Sequence, residues 1–169
     1  MEIWDAYYED GTKANCELVR DELIPEELYH IVCEVLVNHV DGTYLLMQRD
    51  FSKKGFPGKF EASASGSALK GEDPIQGALR ELKEETGITA TSLKQIYNRV
   101  SKTQHSIYYG YLCITDCDKD SIILQEGETI SYKWMNKNDF LDFVNSDEYV
   151  ASQRERLEVY LKKIKLEER

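Results

Sequence analysis

Apolar and polar positions along the chain predict a sheet interrupted by a few helices. Residues 3–8 can form a strand, and Glu9-Asp10-Gly11-Thr12 is a turn signal, so the chain opens as a hairpin or meander. Residues 20–27 are polar and contain Pro25, which fits a connecting loop. Residues 30–39 (HIVCEVLVNH) are β-rich with apolar side chains on both faces, the pattern of a central strand covered on both sides. Asp41-Gly42 turns this run into a second strand at 43–49, making a hairpin. Residues 51–59 form a loop rich in Lys and Gly, and 59–65 read as one short strand. The runs 91–103 and 106–115 predict two paired strands, with Ile107, Tyr109, Tyr111 and Cys113 sharing one face of the second. Residues 116–120 make an acidic loop, and 128–135 form a further strand that ends around Trp134. Asn136 can cap a short helix with Phe140, Leu141 and Phe143 inward. Val150, Leu157, Tyr160, Leu161 and Ile164 lie on one helical stripe over 150–166, which packs on the body or against a partner.

The strongest helix signal lies within residues 66–88, GSALKGEDPIQGALRELKEETGI. Asp73 can cap the helix, Pro74 suits its first turn, and Gln76 completes an Asp variant of the capping box. Gly87 supplies a left-handed stop, so the spacing predicts a helix over 74–86. Ile75, Ala78, Leu79 and Leu82 form an apolar stripe, while Glu81, Glu84 and Glu85 fall together on an adjoining face. Three like charges so placed repel each other, and helix propensity does not account for the grouping. A hard divalent cation does, because carboxylate oxygens suit magnesium and the cation neutralises the repulsion.

Length and charge narrow the class. A chain of 169 residues is expected to be one domain, 1–169, with a hairpin and loop at 1–28, the acidic helix region at 66–88 and a terminal helix at 150–166. Lys plus Arg number 21 against 31 Asp plus Glu, a net charge of −10 that argues against a partner in polymeric nucleic acid. The cysteines Cys16, Cys33, Cys113 and Cys117 lack a zinc-ligand pattern and read as reduced thiols, with Cys33 and Cys113 packed as small hydrophobes. The first residues lack the basic and apolar regions of a secretion signal, and no apolar run reaches membrane-spanning length, so a cytoplasmic protein without a membrane partner is expected.

The residues Gly66, Glu72, Arg80, Glu81, Leu82, Glu84, Glu85, Gly87 and Ile88 fit, without departure, the pattern G-x5-E-x7-R-E-U-x-E-E-x-G-U, where U is a bulky aliphatic. This is the Nudix box, and the chain resembles a MutT-like Nudix hydrolase. The resemblance implies a Nudix-type α/β/α sandwich around a mixed β-sheet. It makes Glu84 and Glu85 the core ligands of Mg²⁺, with Mn²⁺ as an alternative, and Glu81 a further ligand or the general base. The backbone carbonyl of Ser65 would complete part of the metal shell, and Arg80 would orient a neighbouring glutamate. Some family members place another ligand or base in the region of Glu128; an exposed edge-strand glutamate is the alternative. Dimers are common in the family, so a homodimer is possible.

Other side chains around the box are candidates on their own chemistry. Arg49, Lys53 and Lys54 precede it and can meet phosphate oxygens, and Arg49, ending a strand beside the site, is the best placed. Lys53 and Lys54 also read as a solvated basic loop. His30 begins the central strand, either as a structural histidine or as a contact to substrate or metal.

A second resemblance spans about residues 2–140. Trp4-Asp5, the Asp10-Gly11 turn and the run QRDFSKKGFPGKFEASASG from Gln48 to Gly66 are similar to isopentenyl-diphosphate isomerase and its Nudix relatives. Those isomerases use a cysteine immediately before the box glycine, where this chain has Ser65, and a metal-binding histidine just after it, where this chain has Ser67. They also tend to have a degenerate box, whereas this one is intact. A hydroxyl has a far higher pKa than a thiol and does not simply replace it in acid–base work. The sequence therefore points to metal-dependent hydrolysis of a small diphosphate, in a nucleoside diphosphate joined to another moiety. An isopentenyl-diphosphate isomerase-like enzyme is the runner-up, and a non-catalytic ligand-binding domain the third reading.

Overall fold

The computed structural model describes residues 1–167. Two sheets form. β1 (Ile3–Tyr7) and β2 (Lys13–Val19) make a separate antiparallel hairpin. The larger sheet is built on β3 (His30–His39), which runs parallel to β8 (Ser106–Thr115) over its whole length, from His30 opposite Ser106 to His39 opposite Thr115. β7 (Lys94–Ser101) extends the sheet antiparallel to β8. On the other side β3 meets β4 (Tyr44–Arg49) for two residue pairs only, and β4 pairs in turn with β9 (Thr129–Met135).

The two faces of β3 explain the layers. Ile31, Cys33, Val35 and Val37 point into a core shared with Ala78 and Leu82 of α1 (Pro74–Thr86). Leu36 points the other way, toward Phe140 of α2 (Lys137–Phe143) and Leu157, Tyr160, Leu161 and Ile164 of α3 (Ala151–Leu166). A strand buried on both faces cannot alternate apolar with polar, and that is how 30–39 reads. The result is the expected α/β/α arrangement around a mixed sheet.

Three local expectations change. The single strand at 59–65 is two, β5 (Phe60–Glu61) on β4 and β6 (Ala64–Ser67) on β3. The chain crosses between them where β3 and β4 diverge. There the Ser63 hydroxyl accepts the Val37 N–H at 2.8 Å and donates to the Leu45 carbonyl at 2.8 Å, so a side chain replaces ladder bonds that no backbone can make. Ile75 is 45% exposed rather than part of the buried stripe. α1 meets the sheet instead through Gly77, packed against Cys33 and Ala68, which rotates the buried face toward Ala78, Leu82 and Glu85. Finally, β9 begins at Thr129, and Glu128 sits in the turn before it, with its carbonyl accepting the Asp50 N–H at 2.9 Å.

Candidate active site

α1 is set by local chemistry at both ends. Asp73 accepts the Gln76 N–H at 2.8 Å while the Gln76 side chain accepts the Asp73 N–H at 2.9 Å, a reciprocal capping box. Gly87, at φ 78°, ends the helix and donates to the Lys83 carbonyl. The helix thus presents Glu81, Glu84 and Glu85 toward β6, along one wall of a cavity of about 870 Å³. Ser65, Arg80, Lys53 and Glu128 line the same cavity.

Arg80 organises the carboxylates. Its guanidinium donates to Glu72 at 2.7 and 3.0 Å, to Glu81 at 2.6 Å, to Glu84 at 3.2 Å and to the Ser67 carbonyl at 3.0 Å. Glu72 is partly desolvated, yet these bonds and the Leu69 N–H hold it below the usual glutamate range. Glu81 lies directly over Gly66, where a Cβ would overlap its carboxylate, so only glycine leaves room for this approach.

Two carboxyls are left strongly under-compensated. Burial pushes Glu81 up to about 7 against the opposing pull of Arg80. Burial also raises Glu85 well above the ordinary value, reinforced by the nearby charges of Glu61 and Glu81. Among the described residues, the one hydrogen-bond partner of Glu85 is the Ser65 N–H, at 3.3 Å. Also among the described residues, no three His, Cys, Asp or Glu side chains are drawn together as a ready-made metal cluster. Arg80 holds Glu81 and Glu84 instead. By chemistry the set fits a hard divalent cation: several carboxylates along one cavity wall beside the part-buried β6, with burial and like charges raising Glu81 and Glu85.

The remaining sequence candidates divide. Lys53 pairs with Glu128 on the cavity wall. Arg49 lies elsewhere: it pairs with Glu61 at 2.8 Å and donates to the Gly55 carbonyl at 2.9 Å. Lys54 is exposed and does not line the cavity. His30 is buried, stacked on Trp4 with ring centroids 4.1 Å apart, and bonded to Ser106 at 2.9 Å and Ser67 at 3.2 Å. Both of its ring nitrogens thus have hydroxyl partners inside the protein. Glu61 was not singled out in the sequence; it is buried, and its charge reaches Glu85. A lone acidic residue in an otherwise apolar short strand was the available signal. Glu2, Arg20 and Lys70 also line the cavity, and nothing in their local sequence marks them.

The NUDIX domain family matches residues 28–157. An uncharacterised Nudix hydrolase of Listeria innocua is 33% identical over 152 residues, covering 89% of each chain. An isopentenyl-diphosphate Delta-isomerase of Salmonella heidelberg is 26% identical over 110 residues, 62% of this chain and 61% of its own. Among solved structures, one from Deinococcus radiodurans superposes with a TM-score of 0.71 at 20% identity, covering 88% of this chain and 92% of its own. A MutT protein from Methanosarcina mazei gives 0.63 at 23%, covering 81% and 96%; at such identities both speak for the fold. The domain match and the relative that shares most of the chain's length agree with the intact box on the helix, and the chain belongs to the Nudix hydrolase family, enzymes that act on diphosphate bonds.

Proposed function

We propose that this protein hydrolyses the diphosphate bond of a nucleoside diphosphate joined to another moiety, with Mg²⁺ held by the box. The observation that carries this reading is that Glu81, Glu84 and Glu85 of the box helix and Glu128 line one cavity. Glu84, Glu85 and the Ser65 carbonyl would hold the cation, and Glu81 would be a further ligand or the base. A divalent cation supplies charge neutralisation for the diphosphate and activation of water. The protein's own residues do the rest. Arg80 keeps Glu81 and Glu84 oriented, Gly66 leaves space for the Glu81 carboxylate, and Lys53 can exchange its Glu128 partner for a phosphate oxygen. Released from Lys53, Glu128 becomes available as base or ligand.

The isomerase-like reading is favoured by the shared 110 residues. Against it stand Ser65 where a thiol is needed, and Ser67, whose hydroxyl is bonded to His30. A panel with Mg²⁺ separates the readings: nucleotide sugars, dinucleotides, oxidised nucleotides and isopentenyl diphosphate, with products read by phosphorus NMR. Cleavage of a nucleotide-linked diphosphate supports the hydrolase. Double-bond migration in isopentenyl diphosphate without any hydrolysis overturns it.

A further inference from the structure

The N-terminal hairpin lies outside the residues matched by the family, yet it forms a wall of the cavity. It is fastened to the loop within the box. The Ile3 carbonyl accepts the Lys70 N–H at 2.9 Å, and the Asp5 carboxylate accepts the Gly71 N–H at 2.8 Å. Trp4, stacked on His30, anchors the hairpin to the head of β3. At the end of the hairpin the Arg20 N–H donates to the Glu2 carbonyl at 3.0 Å, fixing the backbone from which the Arg20 side chain projects along the cavity.

The cations on this wall and opposite it differ in what they have left to give. Arg80 commits all three of its nitrogens to Glu72, Glu81, Glu84 and the Ser67 carbonyl. Lys53 is paired with Glu128 and Lys70 with Glu17. Arg20 has a single partner among the described residues: its Nη1 donates to Glu2 at 2.9 Å. Its side chain is 53% exposed, and a guanidinium carries five N–H donors in a planar fork. Arg20 is therefore the guanidinium on the cavity wall with donors still available. Glu2, its partner, is itself fixed by the Trp4 indole N–H at 2.7 Å, so Arg20 can leave it without leaving Glu2 unpaired.

Resting on the diphosphate reading above, we propose that Arg20 is a substrate-binding residue that grips a phosphoryl group of the diphosphate bidentately, exchanging its bond to Glu2 for one to the substrate. The hairpin then serves as a specificity element added to the family domain. An exposed exchangeable ion pair loses little when broken, whereas a fork-to-phosphate contact in a cavity gains more.

The test is calorimetric titration of methylenediphosphonate, a non-hydrolysable diphosphate, in the presence of Mg²⁺, with Mg²⁺ alone titrated in parallel. Arg20→Met is expected to weaken diphosphonate binding about 10- to 100-fold and to leave Mg²⁺ binding unchanged. Arg20→Lys, which keeps the charge and loses the fork, is expected to fall between, and Glu2→Gln to bind at least as tightly as the wild type. Equal diphosphonate affinity in wild type and Arg20→Met overturns the role of Arg20 while leaving the hydrolase intact. A loss of Mg²⁺ affinity equal to the loss of diphosphonate affinity also overturns it, since the effect is then on the box. Absence of diphosphonate binding and of hydrolysis in the wild type overturns both readings together.

Discussion

Gly66 and His30 show how single residues set limits on this site. Glu81 occupies the space that any side chain at position 66 would need. Gly66→Ala should therefore displace the Glu81 carboxylate and lower kcat/KM by about 10- to 100-fold, while the far-UV spectrum stays that of the wild type. Unchanged kinetics in a folded Gly66→Ala protein would remove Glu81 from the account. His30 makes a prediction about pH. Burial, aided by the charge of His105, lowers it from 6.5 to about 4, so the unfolded chain binds a proton across that interval and the folded one does not. Stability from the neutral ring is full above about pH 6.5 and is lost as pH falls toward 4, by up to about 3 kcal/mol. In urea unfolding, the stability gap between wild type and His30→Gln should shrink from pH 7 to pH 4.5. A gap that stays constant, or widens on acidification, contradicts the neutral buried state.

At the scale of elements, α3 is held to the sheet by more than its apolar stripe. Glu34 projects from β3 toward the α2–α3 layer, where Arg156 donates to it at 2.9 and 2.5 Å, Gln153 reaches it, and the Tyr97 hydroxyl is hydrogen-bonded to it. The Arg156 guanidinium also covers the Tyr108 ring, 3.9 Å from its centroid. Arg156→Met should cost about 3–5 kcal/mol by leaving the Glu34 charge buried without its partner, and adding Glu34→Gln should recover a large part. An Arg156→Met protein within about 0.5 kcal/mol of wild type in denaturant unfolding would show that the pair anchors nothing. Elements whose cause is local were legible in the chain: α1 in its cap, its Pro74 and its Gly87, and β3 in its two apolar faces. The split of 59–65 was not, because its cause is a fork between two other strands bridged by Ser63. Nor was the turn at Glu128, whose position is set by pairing with Asp50.

For the whole molecule, the same separation of local from long-range causes divides the site. The box carboxylates were legible because one helix carries them at fixed spacing. Glu2 and Arg20 reach the cavity from either end of the β1–β2 hairpin, and Glu61 acts on Glu85 from β5; the chain path that brings them together leaves no periodic trace. Arg49 is the converse case: it ends β4, as read, but its guanidinium is paired with Glu61 and does not line the cavity. The assembled cavity also trades stability for function. Glu85 is buried among like charges, so Glu85→Gln should unfold at a higher temperature than the wild type in EDTA. Added Mg²⁺ should raise the wild-type midpoint by ligand linkage and leave Glu85→Gln almost unmoved. Equal Mg²⁺-induced shifts in both proteins would place the cation away from this helix.

The most direct measurement is the rate of diphosphate-bond cleavage in a nucleotide-linked diphosphate, followed by phosphorus NMR with and without Mg²⁺, for wild type and Glu84→Gln side by side. Glu84 is half-exposed, so the substitution spares the fold while removing one proposed ligand. The account predicts Mg²⁺-dependent cleavage by the wild type and a fall of about a hundredfold or more in Glu84→Gln, roughly 2.7 kcal/mol of barrier. Equal rates in the two proteins, or cleavage that does not depend on Mg²⁺, would contradict it.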